Sequence, residues 1–197
     1  LFPGDYQGDI NLFNSQIKTE AGGDINLLAP GGLVNVGLAK TGNTKLPSEQ
    51  GIFTVRGGVI RSFSSGDFLV NQSRVFTLQG DDLLLWSTEG NIDAGKGSKT
   101  ASATPPPRLV YRNNAFVLDT SSVVAGSGIG QLLARLGYKA GEVGLFAPRG
   151  EVNAGEAGIR VAGDLLIGAL RVVGADNIQV GGLSVGVPVA PTTSLAG

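Results

Sequence analysis

The chain has 197 residues, 42% of them hydrophobic and only 16% charged, with 32 Gly and a net charge of −1. Ordinary domains carry about 7% Gly and about 25% charged residues, so this Gly-rich, charge-poor chain is too apolar for disorder and has no electrostatic footprint for nucleic acid or an anionic membrane surface. Cys, Met and His are all absent, which excludes disulfides, zinc-thiolate sites, a Cys nucleophile and a Ser-His-Asp triad.

Length alone allows one large domain or two small ones. The absence of Met reads as a piece of something longer, and the avoidance of Cys suits passage through a secretion pore. The start, LFPGDYQGDINLF, has no basic segment before an apolar core and is not a signal peptide. No run approaches the roughly 20 apolar residues of a membrane helix, so no membrane insertion is expected.

In chain order, Gly8-Asp9-Ile10-Asn11-Leu12 returns as Gly23-Asp24-Ile25-Asn26-Leu27, and Gly31-Gly32-Leu33-Val34-Asn35-Val36 is a looser third copy. In each, alternate residues point to opposite faces, as a period of two requires. Thr41 to Gln50 lacks alternation and reads as a loop leaving the scaffold. Short apolar runs follow at 52–55, 59–63, 68–70, 75–78, 83–86 and 91–94, separated by Gly57-Gly58, Gly66-Asp67, Gly80-Asp81 and Gly90-Asn91. Three runs fill each span of about 22 residues, and none is long enough to bury its own apolar face. Stacking is therefore needed, which is the signature of a solenoid. An antiparallel sandwich would favour Asn-Gly or Asp-Gly hairpins; the chain has neither and carries the inverted Gly-Asp instead. The expected fold is all-β, a parallel β-helix over 1–197.

The stretch 96–140 breaks the pattern and reads as an insertion off the helix. Its polar opening leads into Pro105-Pro106-Pro107, which cannot join a ladder. Leu109-Val110-Tyr111 and Ala115-Phe116-Val117-Leu118 predict a hairpin about Arg112-Asn113-Asn114. Ser127 is placed to cap a short helix whose Ile129, Leu132, Leu133 and Leu136 share a face and which Gly137 would end, packed on the side of the rod. The alternation resumes from Gly141 to Gly181, and residues 188–197 read as a linker-like tail after a final strand.

Seven acids, Asp9, Asp24, Asp67, Asp81, Glu142, Glu151 and Asp164, each follow Gly and precede an apolar run. Recurrence at one repeat position marks them as turn residues that cap backbone N–H groups. Asp81, Asp82 and Asp93 are the local cluster a polysaccharide-cleaving site would need, and a Ser-Lys nucleophile would have to draw on Lys96 or Lys99. Gly126-Ser127-Gly128-Ile129-Gly130 fits neither the dinucleotide fingerprint, which Gln131 breaks, nor a Walker loop. Gly22-Gly23-Asp24 has its acid too early for the calcium nonapeptide. Of the aromatics, Tyr6, Tyr111 and Tyr138 fall near loops, while Trp86 reads as a core or cap residue. No catalytic, cofactor or metal residue is assigned, and no cofactor is expected.

The segments GDINLFNSQIKTEAGGDINLLAPGGLVNVG, GIFTVRGGVIRSFSSGDFLVNQSRVFTLQG, DLLLWSTEGNIDAGKGSKTASATPPPRLV and APRGEVNAGEAGIRVAGDLLIGALRVVGADNIQVGG resemble a C-terminal region of filamentous-haemagglutinin family proteins. The resemblance implies a right-handed parallel β-helix, export by two-partner secretion through an outer-membrane β-barrel transporter, and a place at the bacterial cell surface or in the medium. It further implies roles in adhesion, biofilm or contact-dependent competition, with host-cell or matrix glycans and proteins as partners, and hands over no catalytic residues. The expected function is a non-catalytic stalk segment of a surface adhesin. The alternatives are a carbohydrate-active β-helix enzyme, or recognition by the 96–140 insertion.

Overall fold

The computed structural model describes residues 7–38, 50–79, 81–97, 108–112, 115–119, 126–132 and 139–188. Its strands form a parallel β-helix with three faces, as the repeat pattern predicts. The first coil runs through β1 (Ile10–Asn11), β2 (Gln16–Thr19) and β3 (Ile25–Ala29), and the second through β4 (Val34–Asn35), β5 (Gly51–Thr54) and β6 (Ile60–Ser64). The third holds β7 (Phe68–Leu69), β8 (Arg74–Thr77) and β9 (Leu83–Ser87), and the fourth begins at β10 (Ile92–Asp93). Next come β11 (Arg108–Arg112) and β12 (Ala115–Asp119), then β13 (Gly128–Gln131) and the long β14 (Glu142–Asn153). The last strands are β15 (Ile159–Val161), β16 (Asp164–Val173), β17 (Ile178–Val180) and β18 (Ser184–Val185).

One face stacks β2, β5, β8, β13, β15 and β17 in a six-stranded sheet, so the described residues contain six coils. The other two faces share a ten-stranded sheet because β14 and β16 turn the corner unbroken. Residues 143–146 of β14 pair with β9, its Ile92 partner is Val152, and the register shifts between Ala147 and Glu151 at the bend. We call the face with β3, β6 and β9 the first, that with β4, β7 and β10 the second, and the six-stranded one the third.

Register explains the core. Ile10, Val34, Phe68, Ile92, Val152 and Val172 form one inward column. Ile17, Ile52, Val75, Ile129, Ile159 and Ile178 form another, and Ile25, Ile60, Leu83, Val143 and Leu165 a third. All meet in a single cluster along the rod axis. Each coil rises by about 4.8 Å, the spacing of hydrogen-bonded strands, so its apolar side chains are covered from above and below by like residues. Corner polar groups are satisfied locally: Thr54 Oγ1 donates to the Gly58 carbonyl at 2.9 Å, Thr77 Oγ1 to that of Asp81 at 2.8 Å, and Ser64 and Ser87 hydroxyls to that of Gly66 at 2.8 Å.

The third face departs from simple alternation. Strands β5, β8 and β13 are buried at every residue, because a second apolar cluster, Phe53, Val55, Phe76, Leu78 and Leu132, lies on the outer side. The Arg74 guanidinium stands 4.7 Å from the Phe53 ring centre and 5.8 Å from that of Phe76. Burial pushes its pKa down to about 10, and the negative ring faces offset part of that desolvation. Two-sided burial is why GIFT and RVFT read as continuous rather than alternating segments.

Two expectations are corrected. Gly128–Gln131 is a strand, seated between β8 and β15, and not the first turn of a helix capped by Ser127; residues 133–138 lie outside the described residues. The span 96–140 is therefore crossed by the rod itself. Within it β11 and β12 pair antiparallel, Leu109 with Leu118 and Tyr111 with Phe116, in a two-stranded sheet of their own. The loop at 41–49, Tyr6, Lys99, Tyr138 and the tail from 189 also lie outside the described residues.

Candidate functional site

The acids at the repeat position form two axial ladders, Asp9 and Asp67 on the corner before the second face and Asp24, Asp82 and Asp164 on the corner before the first. Asp9 Oδ1 accepts from the Leu33 backbone N–H at 3.0 Å, Asp24 from Val59 at 2.9 Å, and Asp67 from Asn91 at 2.7 Å. Asp82 accepts from Glu142 at 2.8 Å and Asp164 from Leu183 at 2.8 Å. Each carboxylate sits at a corner, just ahead of a strand, and caps the same position one coil on. The ladder residue after Gly80 is thus Asp82 and not Asp81, whose carbonyl accepts from Thr77 and Gln131 instead. Asn91 was missed: its Oδ1 accepts from the Glu151 N–H at 2.9 Å, and Gly90-Asn91-Ile92 mirrors Gly66-Asp67-Phe68. Glu151 pairs with Arg171 of the next coil, as Glu89 does with Arg149 at 2.6 Å.

Hydrogen bonds from Val59 N–H and then Arg61 hold the Asp24 carboxyl below its ordinary range. A depressed folded pKa contributes stability that is present above the unfolded value, near 3.8, and is lost as pH falls through the folded one. Thermal melts of Asp24→Ala should show a small drop in Tm at about pH 7 that narrows at an acid pH below the folded Asp24 pKa, where the parent carboxyl has taken up its proton. A gap of the same size at both pH values would count against the ladder as an electrostatic device.

Asp81, Asp82 and Asp93 do not converge. Asp82 opens the first face, whereas Asp93 lies in β10 on the second, its Oδ1 accepting from Gly95 N–H at 2.7 Å and its Oδ2 from Asn153 at 3.1 Å. Among the described residues no group of three or more acids could hold a metal ion.

Among the described residues, a groove runs along the outer side of the first face. Residues between the inward ones, Leu28, Phe63, Trp86 and Phe146 in one column and Arg61, Leu84, Gly144 and Leu166 in the next, point outward by the period of two. Trp86 belongs here, half-buried, and not in the core: Leu83 and Leu85 take the inward positions. Its ring centre lies 5.4 Å from that of Phe146, and its Nε1 donates to Thr88 Oγ1 at 3.2 Å. Leu28, Leu166 and Val185 stay largely exposed. The groove, of about 460 Å³, runs between Arg61, Leu84, Phe146, Leu166 and Val185, with the carboxylates of Asp82, Glu142 and Asp164 along one rim. What this surface offers is contact: aromatic and aliphatic faces beside an acidic edge.

Stacked coils around an axial core, with carboxylates spent on capping, define a solenoid protein of the parallel β-helix class. Residues 80–189 match the family described as filamentous haemagglutinin family outer membrane protein. The chain belongs to that family. No curated protein and no solved structure matches it.

Proposed function

We propose that this chain is a stalk segment of a large bacterial surface or secreted adhesin, exported by two-partner secretion through an outer-membrane β-barrel transporter, with a mechanical and not a catalytic role. The observation that carries this reading is the unbroken strand-on-strand register of the third face through all six described coils. Each coil is stabilised by the one below it, so stability is a sum of neighbour interactions and the rod folds progressively as it emerges. Absence of Cys from all 197 residues removes the risk of a disulfide forming before passage.

The test is in-frame removal of one whole coil, residues 60–82, from the parent protein expressed with its transporter. Val59 would then feed directly into Leu83, which takes the place of its register equivalent Ile60. A stalk keeps surface display and host-cell or matrix attachment; removing residues 60–70 alone, half a coil, should abolish display. Loss of attachment with normal display of the whole-coil deletion would overturn the stalk reading.

A second reading is supported by the β11–β12 hairpin, which among the described residues pairs only with itself and carries Tyr111 at 60% exposure. In it the hairpin is a recognition module for host-cell or matrix glycans or proteins. Replacing residues 98–125 by a short Gly-Ser linker and finding attachment unchanged would remove it.

A further inference from the structure

Arg160 is a buried cation that meets no carboxylate among the described residues. It lies on the outer side of the third face, between Gly130 and Gln179 in register, and is 6% exposed. Its Nη1 donates to the carbonyls of Ile159 at 3.1 Å and Asn177 at 2.6 Å; its Nε and Nη2 donate to none of the described residues. The group folds back over Gly158, where a Cβ would stand 2.5 Å from Nη1, so the backbone is shaped to hold it. Arg61, Arg149 and Arg171 each meet a carboxylate, whereas Arg160, like the exposed Arg56, donates to backbone carbonyls. Burial also holds the Arg160 pKa below its ordinary value. A largely buried guanidinium paired, among the described residues, only with carbonyl dipoles is costly unless an anion completes it.

Space for one is present. Arg160 lines a cleft of about 390 Å³ with Leu132, Val161, Gln179 and Val180. Among the described residues no acidic side chain and no second basic one lines it, so they offer a single positive charge. We propose that this cleft binds a compact organic carboxylate about the size of a sugar acid, its carboxylate lying side-on against Nε and Nη2. The planar fork of arginine matches a carboxylate in that geometry. One carboxylate balances one guanidinium, whereas a dianion would leave an unpaired negative charge. The side chains of Leu132 and Ala162 take the carbon skeleton, Val161 and Val180 turning theirs to the core, and the exposed amide of Gln179 meets hydroxyls at the mouth. The volume falls in the range of small-molecule sites and exceeds what an inorganic ion would fill. The inference does not rest on the stalk reading.

Backbone amide shifts would be followed while the protein is titrated with glucuronate, and in parallel with glucose, acetate and sulfate. Expected are saturable shifts at Arg160, Val161, Gln179 and Val180, with glucuronate roughly tenfold or more tighter than glucose. Acetate should bind at the same amides but more weakly. Arg160→Lys keeps the charge but not the fork, and should weaken glucuronate roughly tenfold. Gln179→Glu sets a carboxylate in the next coil against the guanidinium; it should abolish glucuronate binding and raise Tm, an outcome no unfolded variant can mimic. Shifts that fail to saturate, glucose or sulfate binding as well as glucuronate, or undiminished binding in Gln179→Glu would each overturn the proposal.

Discussion

Gly95→Ala is expected to destabilise the rod by about 3 kcal/mol or more, the range of a steric clash added to backbone strain. Gly95 has φ +91, and a Cβ there would lie 1.8 Å from the Asn71 carbonyl oxygen and 2.7 Å from its carbon. Both obstacles are backbone, so no rotamer change relieves them. The control is Gly22→Ala: φ is +76, but nothing lies within 4 Å of the added Cβ. That substitution should cost only about 1 kcal/mol, the left-handed strain by itself. The position of the clash adds a second consequence. Gly95 follows β10 at the seam between the third and fourth coils, and in a quasi-one-dimensional stack a weakened seam uncouples what lies on either side. A single calorimetric transition in the parent chain should broaden or split in Gly95→Ala. A variant melting as sharply as the parent, within about 1 kcal/mol of it, would show that the stacked corner is not tight.

How far the sequence carried to this geometry differs between its parts. The coil length, the Gly-Asp corners and the inward columns were all legible, because a solenoid repeats the same local problem and its solution appears several times in one chain. Where the copy degrades, reading failed. Gly80-Asp81 looks like the other corners, yet a second acid follows, and only stacking under Glu142 shows that Asp82 holds the ladder position. Ser127 to Leu136 offered apolar residues at helical spacing, but two of the first four positions after the cap are Gly, a poor helix former. The better signal was the dipeptide Gly-Ile, which opens third-face strands at Gly51-Ile52, Gly128-Ile129 and Gly158-Ile159. Gly51 and Gly128 share φ of +105 and +112, and a Cβ on either would meet a backbone oxygen of the next coil at 2.2 and 2.4 Å.

The surface was less legible than the core. Trp86, which ends an apolar run, reads as a core or cap residue, yet the alternation of Leu83 and Leu85 already places it outside. The two-sided burial of the third face cannot be read from β5 or β8 alone, since a continuous apolar run serves a doubly covered strand and a helix segment equally. Arg160 carries no sequence signal at all. Its environment is created by Gly130, Gly158 and Gln179, residues 19 to 30 positions away or immediately beside it, brought together by register.

The other large effect is in the core. Phe68→Ala should cost about 3–5 kcal/mol, the usual range for removing a buried aromatic ring, and a domain is stable by only about 5–15 kcal/mol in total. Phe68 is fully buried and stands in the second-face column between Val34 and Ile92. These neighbours are held by strand register and cannot move along the axis to fill the space without breaking hydrogen bonds in both adjacent coils. Collapse of the cavity is therefore restricted, which places the cost toward the upper end. Phe63→Ala is the matched comparison. Only five residues earlier, it sits on the outer side of the first face at 39% exposure, beside Trp86 in register, and should cost about 1 kcal/mol or less. Chemical denaturation of the two variants measures both. The difference between them is a direct readout of the inward-outward alternation, because residue type is held constant and only the face changes. Equal costs would mean that the outer aromatic column is covered in the folded protein, and the first face would then have to be treated as a second packed surface and not as an open one.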